Sequence, residues 1–368
     1  MVGITNLYYG MGMWKVFLKE HLSGKWKSQG DRSGGAVLWR RLLCLAGFLC
    51  ASLGVSAQGV VYEAAAPEGT NYKAALESLL LAYEKESGRD LKPGLLGRVA
   101  LKVNTRSGAG LSTPRLLLQA LIERLERGGF VRENIWIVDS DSYGLREAGI
   151  LPSLAERVLV FEGCPVLALD AGDYYDAAWY YDSPLPSAMR GMDTDFQGEV
   201  KAEGSERKSF LPRPLLFEVD FWINLPVGCD DPALGIDGAL ANMTLWNVSN
   251  SRRFLVNQST ASAAVAEIAA IPELVEKAVL HIMPMDLYQF IGGPFFNSLY
   301  THSEPVLRLS ADPVAMDRLL YDAINDRRRL AGFPEILPIP QQLPFAASLG
   351  LGVFDRQAIE LRRVGVGE

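Results

Sequence analysis

The stretch from Val99 to Asp141 constrains the fold most, because its hydrophobic pattern switches from strand to helix and back to strand. Val99 to Val103 alternates and is rich in β-formers. Asn104 to Ser112 is a polar loop bearing Gly108 and Gly110, and Thr113-Pro114 supplies a cap residue and a first-turn proline. Leu116, Leu117, Ala120, Leu121 and Leu125 share one helical face, and Gly128-Gly129 stops the helix. Ile135 to Val138 is a second short apolar strand, ending in Asp139-Ser140-Asp141. Strand, helix and strand at this spacing close through a right-handed crossover. The expected class is therefore α/β, a mostly parallel sheet flanked by helices.

The remaining signals extend this plan. Asn71 to Glu86 has helical spacing and ends at Gly88, so residues 58–98 read as an N-terminal helical segment ahead of an α/β domain over 99–368. Val158 to Phe161, Val219 to Leu225, Ala278 to Met283 and Val306 to Leu309 read as strands, and Ala261 to Ala270 as a helix. Asp312-Pro313 caps a helix running to about Leu330, where Arg327, Arg328 and Arg329 complement the helix dipole at the surface. Tyr174, Tyr175, Trp179, Tyr180 and Tyr181 form an aromatic stretch that buries area, stacks on sugar rings or closes over a ligand. The polar insertion that follows, 182–214, reads as a loop or lid.

At the amino end, Arg40-Arg41 precedes Leu42 to Val55, a run without charge, and Val55-Ser56-Ala57 supplies small residues before Gln58. This is the order of a secretory signal over residues 1–57, and the paired arginines suggest the twin-arginine route. The run is shorter than the roughly 20 residues of a membrane span, so the expectation is an exported, periplasmic protein with no stable span after cleavage. A retained N-terminal anchor is the other reading. The whole chain has 36 basic and 43 acidic residues, and the first 57 positions contain seven and two of them. The remainder, with 29 and 41, carries a net charge of −12. Such an acidic chain is a poor partner for nucleic acid or an anionic membrane. Beyond the leader only Cys164 and Cys229 remain, which permits one disulfide and gives no pattern for a zinc ribbon or an iron–sulfur cluster.

Ligands of parallel sheets gather at the carboxyl ends of the strands. The leading reading there is an anion site in which the loop Gly108 to Thr113, with Gly110 and Ser112, offers N–H groups while Lys102 or Arg106 adds charge beside Asn104. Asp139, Asp141 and Asp312 are candidate acids, bases or metal ligands. With Asp230 and Asp231 they are hard oxygen donors suited to Mg²⁺ or Ca²⁺. A nucleotide reading takes Gly108-x-Gly110 as the phosphate loop and Asp139 as the ribose-binding acid. Nucleophilic catalysis has less behind it: Ala346-x-Ser348-x-Gly350 is followed by no histidine, and Cys229 would need His281 or His302 beside it.

Several segments together resemble the bacterial and archaeal family catalogued as domain of unknown function 362. They are Lys102-Val103-Asn104, Gly110-Leu111-Ser112-Thr113-Pro114, Asp139-Ser140, and Asp220 to Pro226 with Asn224 at its centre. Gly292-Gly293-Pro294 through Asp312-Pro313-Val314-Ala315-Met316-Asp317 continues the likeness, which spans about Val99 to Glu368. That family often has a Lys and a His after the Asn-Leu-Pro segment and then a Lys-Asn pair. Here Gly228-Cys229-Asp230-Asp231 and Ala241-Asn242 stand in those places. The resemblance thus implies two classes of function: an enzyme acting on a small anionic molecule, or a binding or scaffold protein that keeps the fold without the chemistry.

Overall fold

The computed structural model describes residues 59–66, 72–152, 159–183 and 207–366. The leader over 1–57 and most of the insertion 182–214 lie outside them. Strand β1 (Val60–Ala65) is followed by helix α1 (Lys73–Ser87), which ends on left-handed Gly88 (φ 65°). Next come β2 (Val99–Val103), α2 (Arg115–Arg127), β3 (Ile135–Asp139) and the short α3 (Ser142–Glu147), whose N-terminal N–H groups are capped by Asp141. β4 (Val160–Phe161) and β5 (Cys164–Ala168) form a hairpin. The middle of the chain contributes β6 (Tyr175–Asp182), β7 (Lys208–Pro212), α4 (Arg213–Leu216), β8 (Phe221–Leu225), β9 (Cys229–Asp231), β10 (Gly235–Asp237) and α5 (Ala239–Met243). After α6 (Gln258–Ala269) and α7 (Pro272–Val275) come β11 (Ala278–Pro284), β12 (Tyr288–Gln289), β13 (Thr301–His302) and β14 (Val306–Ser310). α8 (Pro313–Leu330), α9 (Gln342–Ser348) and β15 (Glu360–Val364) complete the order.

Nine of these strands form one sheet in the order β15-β1-β14-β11-β8-β2-β3-β5-β4. β11, β8, β2, β3 and β5 run parallel, as does β15 with β1, while β14 and β4 run antiparallel to their neighbours. The fold is α/β with a mostly parallel sheet, as its βαβ unit requires. Alternation along the strands serves two cores. Val99, Leu101, Val103, Phe221, Ile223 and Leu225 enter one with α1 and α2, and Ala100 and Trp222 enter the other with α5, α6 and α8. Among the described residues no helix is long and apolar enough to cross a membrane.

Four expectations are corrected. Residues 58–98 are not simply helical, because β1 inserts between β14 and β15 and so belongs to the same sheet. Thr113 does not cap α2: its hydroxyl donates to Leu225 O at 2.7 Å and accepts from Asn104 N at 2.8 Å, and so joins the ends of β2 and β8. The buried face of α2 takes in Leu118 and Ile122, whereas Leu116 is 44 % exposed, because the helix packs on α1 as well as on the sheet. The described part of 182–214 is not loop, since β7 pairs with β6 and α4 follows it. The aromatic stretch fastens this hairpin to the body, with Tyr175 donating to Asn247 O and Trp179 packed edge-on to Phe217.

Candidate functional site

Lys102, Asn224 and His281 occupy one cross-strand row in the middle of the sheet, Lys102 opposite Asn224 and Asn224 opposite His281. All three are buried, and α5 covers them. The Lys102 ammonium donates to Asp139 Oδ1 (2.8 Å), Asn242 Oδ1 (2.9 Å) and its neighbour's carbonyl, Val103 O (2.7 Å), which uses all three of its protons. Burial holds Lys102 below the usual lysine range against the attraction of Asp139. Asp139 Oδ2 accepts from the backbone and hydroxyl of Thr105, and Oδ1 from Ser140 N. Asn242 donates on to Asn224 Oδ1 at 2.7 Å, and Asn224 Nδ2 lies 2.9 Å from both Ala239 O and His281 Nδ1. Burial drives the His281 pKa down to about 3, so the ring is neutral and accepts from Asn224.

Arg106 belongs to a second cluster. Its Nη1 lies 3.0 Å from both Asp231 and Asp237, and its guanidinium covers the Trp246 ring at 3.9 Å. Trp246 donates to the other oxygen of Asp237, whose pKa burial pushes up to about 6. The two cations read as anion ligands are therefore engaged inside the protein, and Lys102 is closed to solvent.

The carboxylates read as a metal set are dispersed. Asp141 caps α3, and Asp230 accepts from Gly292 N and Gly293 N and faces Arg328. Asp312 caps α8 as expected and also accepts from Gly59 N and Val353 N. Asp317 accepts from Ala239 N and Leu240 N at the start of α5. Among the described residues no three His, Cys, Asp or Glu side chains gather as a metal ion would require. Asp139, the acid of the nucleotide reading, is sealed by Lys102 and Thr105. Cys164 and Cys229 remain separate buried thiols, so the permitted disulfide is not formed, and burial raises the Cys229 pKa. Cys229 lies near Ser107 while His281 meets Asn224, so the two do not form a catalytic pair. The arginines ending α8 also divide: Arg329 pairs at the surface with Asp326 and Glu335, whereas Arg328 donates inward to Phe290 O.

No family model and no curated protein matches the chain. Among solved structures it is similar to a structural-genomics target from Thermotoga maritima, with 12 % identity and a TM-score of 0.37 over 72 % of this chain and 59 % of that one. It is also similar to the lactate racemase apoprotein from Thermoanaerobacterium thermosaccharolyticum, with 10 % identity and a TM-score of 0.29 over 70 % and 55 %. The chain spans less than two thirds of the length of either.

The open feature at the carboxyl end of β2 is a groove of about 520 Å³. One wall is the loop Ala109 to Pro114 with the first turn of α2, another is Glu147 and Ala148 at the end of α3, and a third is Pro284 at the end of β11 with Asp286 and Leu287 just after it. Gly110 and Ser112 line it. Gly108 (φ 85°) makes the turn behind it, and the N–H groups of Gly108, Leu111 and Thr113 bond within the loop. Phe296 packs against Gly110 so closely that a Cβ there would lie 2.2 Å from the ring. Arg115, which the sequence reading passed over, is exposed at this groove and makes no ion pair among the described residues. Its place directly after Thr113-Pro114 was the signal available for finding it.

Proposed function

We propose that this protein binds a small anionic ligand in the groove beside the glycine loop, as a binding protein whose strand-end Lys102 and Asp139 serve the fold. The observation that carries this reading is Arg115: among the described residues it is the cation lining the groove, at the amino end of α2 where N–H groups and the helix dipole also favour negative charge. Lys102, Asp139, Asn224, Asn242 and His281 satisfy one another beneath α5, and that leaves them no reacting atom to meet. The same reading takes the chain as an exported, periplasmic protein and as a divergent relative of the unknown-function family it resembles, in which Asn224, Pro226, Asn242 and Asp317 are retained for folding.

The test is a thermal-shift titration with inorganic phosphate and with acetate. The parent should be stabilised in a saturable way, and Arg115→Gln should lose about tenfold in affinity while melting normally without ligand. Identical titrations of Arg115→Gln and the parent would remove the site.

A further inference from the structure

The leader boundary read in the sequence is the bond between Ala57 and Gln58, and Gly59 is already part of the fold. Its N–H donates to the buried Asp312 Oδ2 at 2.8 Å, and its carbonyl accepts from Glu360 N at 2.7 Å. Its backbone is left-handed (φ 82°), and a Cβ there would lie 3.0 Å from Ala358 O and 3.1 Å from the Val353 side chain. Val60 then begins β1, which pairs with β15 on one side and β14 on the other and buries five of its six residues. The carboxylate that holds Gly59 also caps α8 and accepts from Val353 N, so the entry of the chain is tied to two further segments.

Peptidases take a substrate as an extended strand, through main-chain hydrogen bonds on both sides of the bond they cut. One residue, spanning at most about 3.6 Å, separates the Ala57–Gln58 bond from Gly59. The second residue beyond the bond therefore has its N–H and carbonyl taken inside the protein and a backbone that is not extended. Resting on the exported reading above, we infer that the leader is removed before β1 takes its place in the sheet: the chain crosses the membrane and is cut while unfolded, and the Gly59–Asp312 anchor closes the bond to peptidase once it has formed. In the cut, water adds across the amide and leaves a carboxylate on Ala57 and an amino group on Gln58. The twin-arginine route, which passes folded proteins, would present the bond in its closed form.

The test uses the full chain and a bacterial signal peptidase, with intact mass as the readout of the cut. A variant with Gly-Ser-Gly-Ser inserted between Gln58 and Gly59 moves the bond clear of the fold and keeps every residue of β1. When both proteins are folded, in detergent and with equal melting temperatures, the insertion variant should be cut at least tenfold faster, because cutting of the parent waits on local opening at β1. With the peptidase present during cell-free synthesis, the two should be cut alike. Equal cutting of the two folded proteins, fast or slow, overturns the inference and leaves the export reading standing, as does a parent that stays the slower one during synthesis. If neither is cut at this bond during synthesis, the export reading fails as well.

Discussion

Lys102 Nζ lies 2.8 Å from Asp139 Oδ1 with the lysine side chain wholly removed from solvent and the aspartate nearly so. A buried pair of this kind is costly to break from one side, because the remaining charge has no compensation. Lys102→Met and Asp139→Asn should each lower the unfolding free energy by about 3–5 kcal/mol, and the double variant should lose much less than the two together. Urea denaturation of the four proteins gives the cycle. Additive losses would show that the pair is not coupled.

Asp317 should make stability depend on pH in the direction opposite to ordinary acid unfolding. Burial pushes its pKa up to about 7 from the usual 3.8, although Leu240 N and Ala239 N oppose the shift. The folded value lies above the unfolded one, so the contribution is full below about pH 4 and is lost as the pH rises through about 7. Asp237, raised by burial to about 6, acts with the same sign. Between pH 8 and pH 5 the parent should gain on the order of 2 kcal/mol relative to Asp317→Asn. Parallel pH profiles for the two proteins would refute this.

Asp312 joins three distant parts of the chain, since its carboxylate accepts from Gly59 N, Ala315 N and Val353 N at 2.8 Å each. Asp312→Ala removes a helix cap and leaves buried donors unpaired, so a loss of about 2–4 kcal/mol is expected. Gly352→Ala should act through the same carboxylate, because its Cβ would come within 1.9 Å of Oδ1. Melting temperatures of both variants check this, and a parent-like Gly352→Ala would show that the loop yields.

Gly293 and the groove-lining Gly110 should behave differently. A Cβ on Gly293 would lie 1.8 Å from the Asp230 carbonyl oxygen, which is backbone, so Gly293→Ala should destabilise the fold by several degrees of melting temperature or more. The atoms nearest a Cβ on Gly110 belong to the ring of Phe296, a side chain 40 % exposed and able to turn away. Gly110→Ala should therefore melt within about 2 °C of the parent yet alter ligand affinity. Thermal melts with and without phosphate distinguish the two effects.

Sequence alone determined the parts of this protein that depend on near neighbours. Val99 to Asp139 reads as strand, helix and strand because hydrophobic period, Pro114 and Gly128 act within a few residues, and Asp312 reads as a cap because its Ala315 partner is three positions away. The parallel core of the sheet followed from that unit. Only the tertiary structure decided what the strand-end residues do. Lys102 finds Asn242 across 140 residues and Arg106 finds Asp237 across 131, and both meetings depend on β8 lying beside β2 and on the path taken by the chain from β9 to α5. No local pattern marks such partners, because a buried charge and an open ligand-binding charge use the same side chain at the same place after a strand. The folded chain closed Lys102 and left Arg115 open.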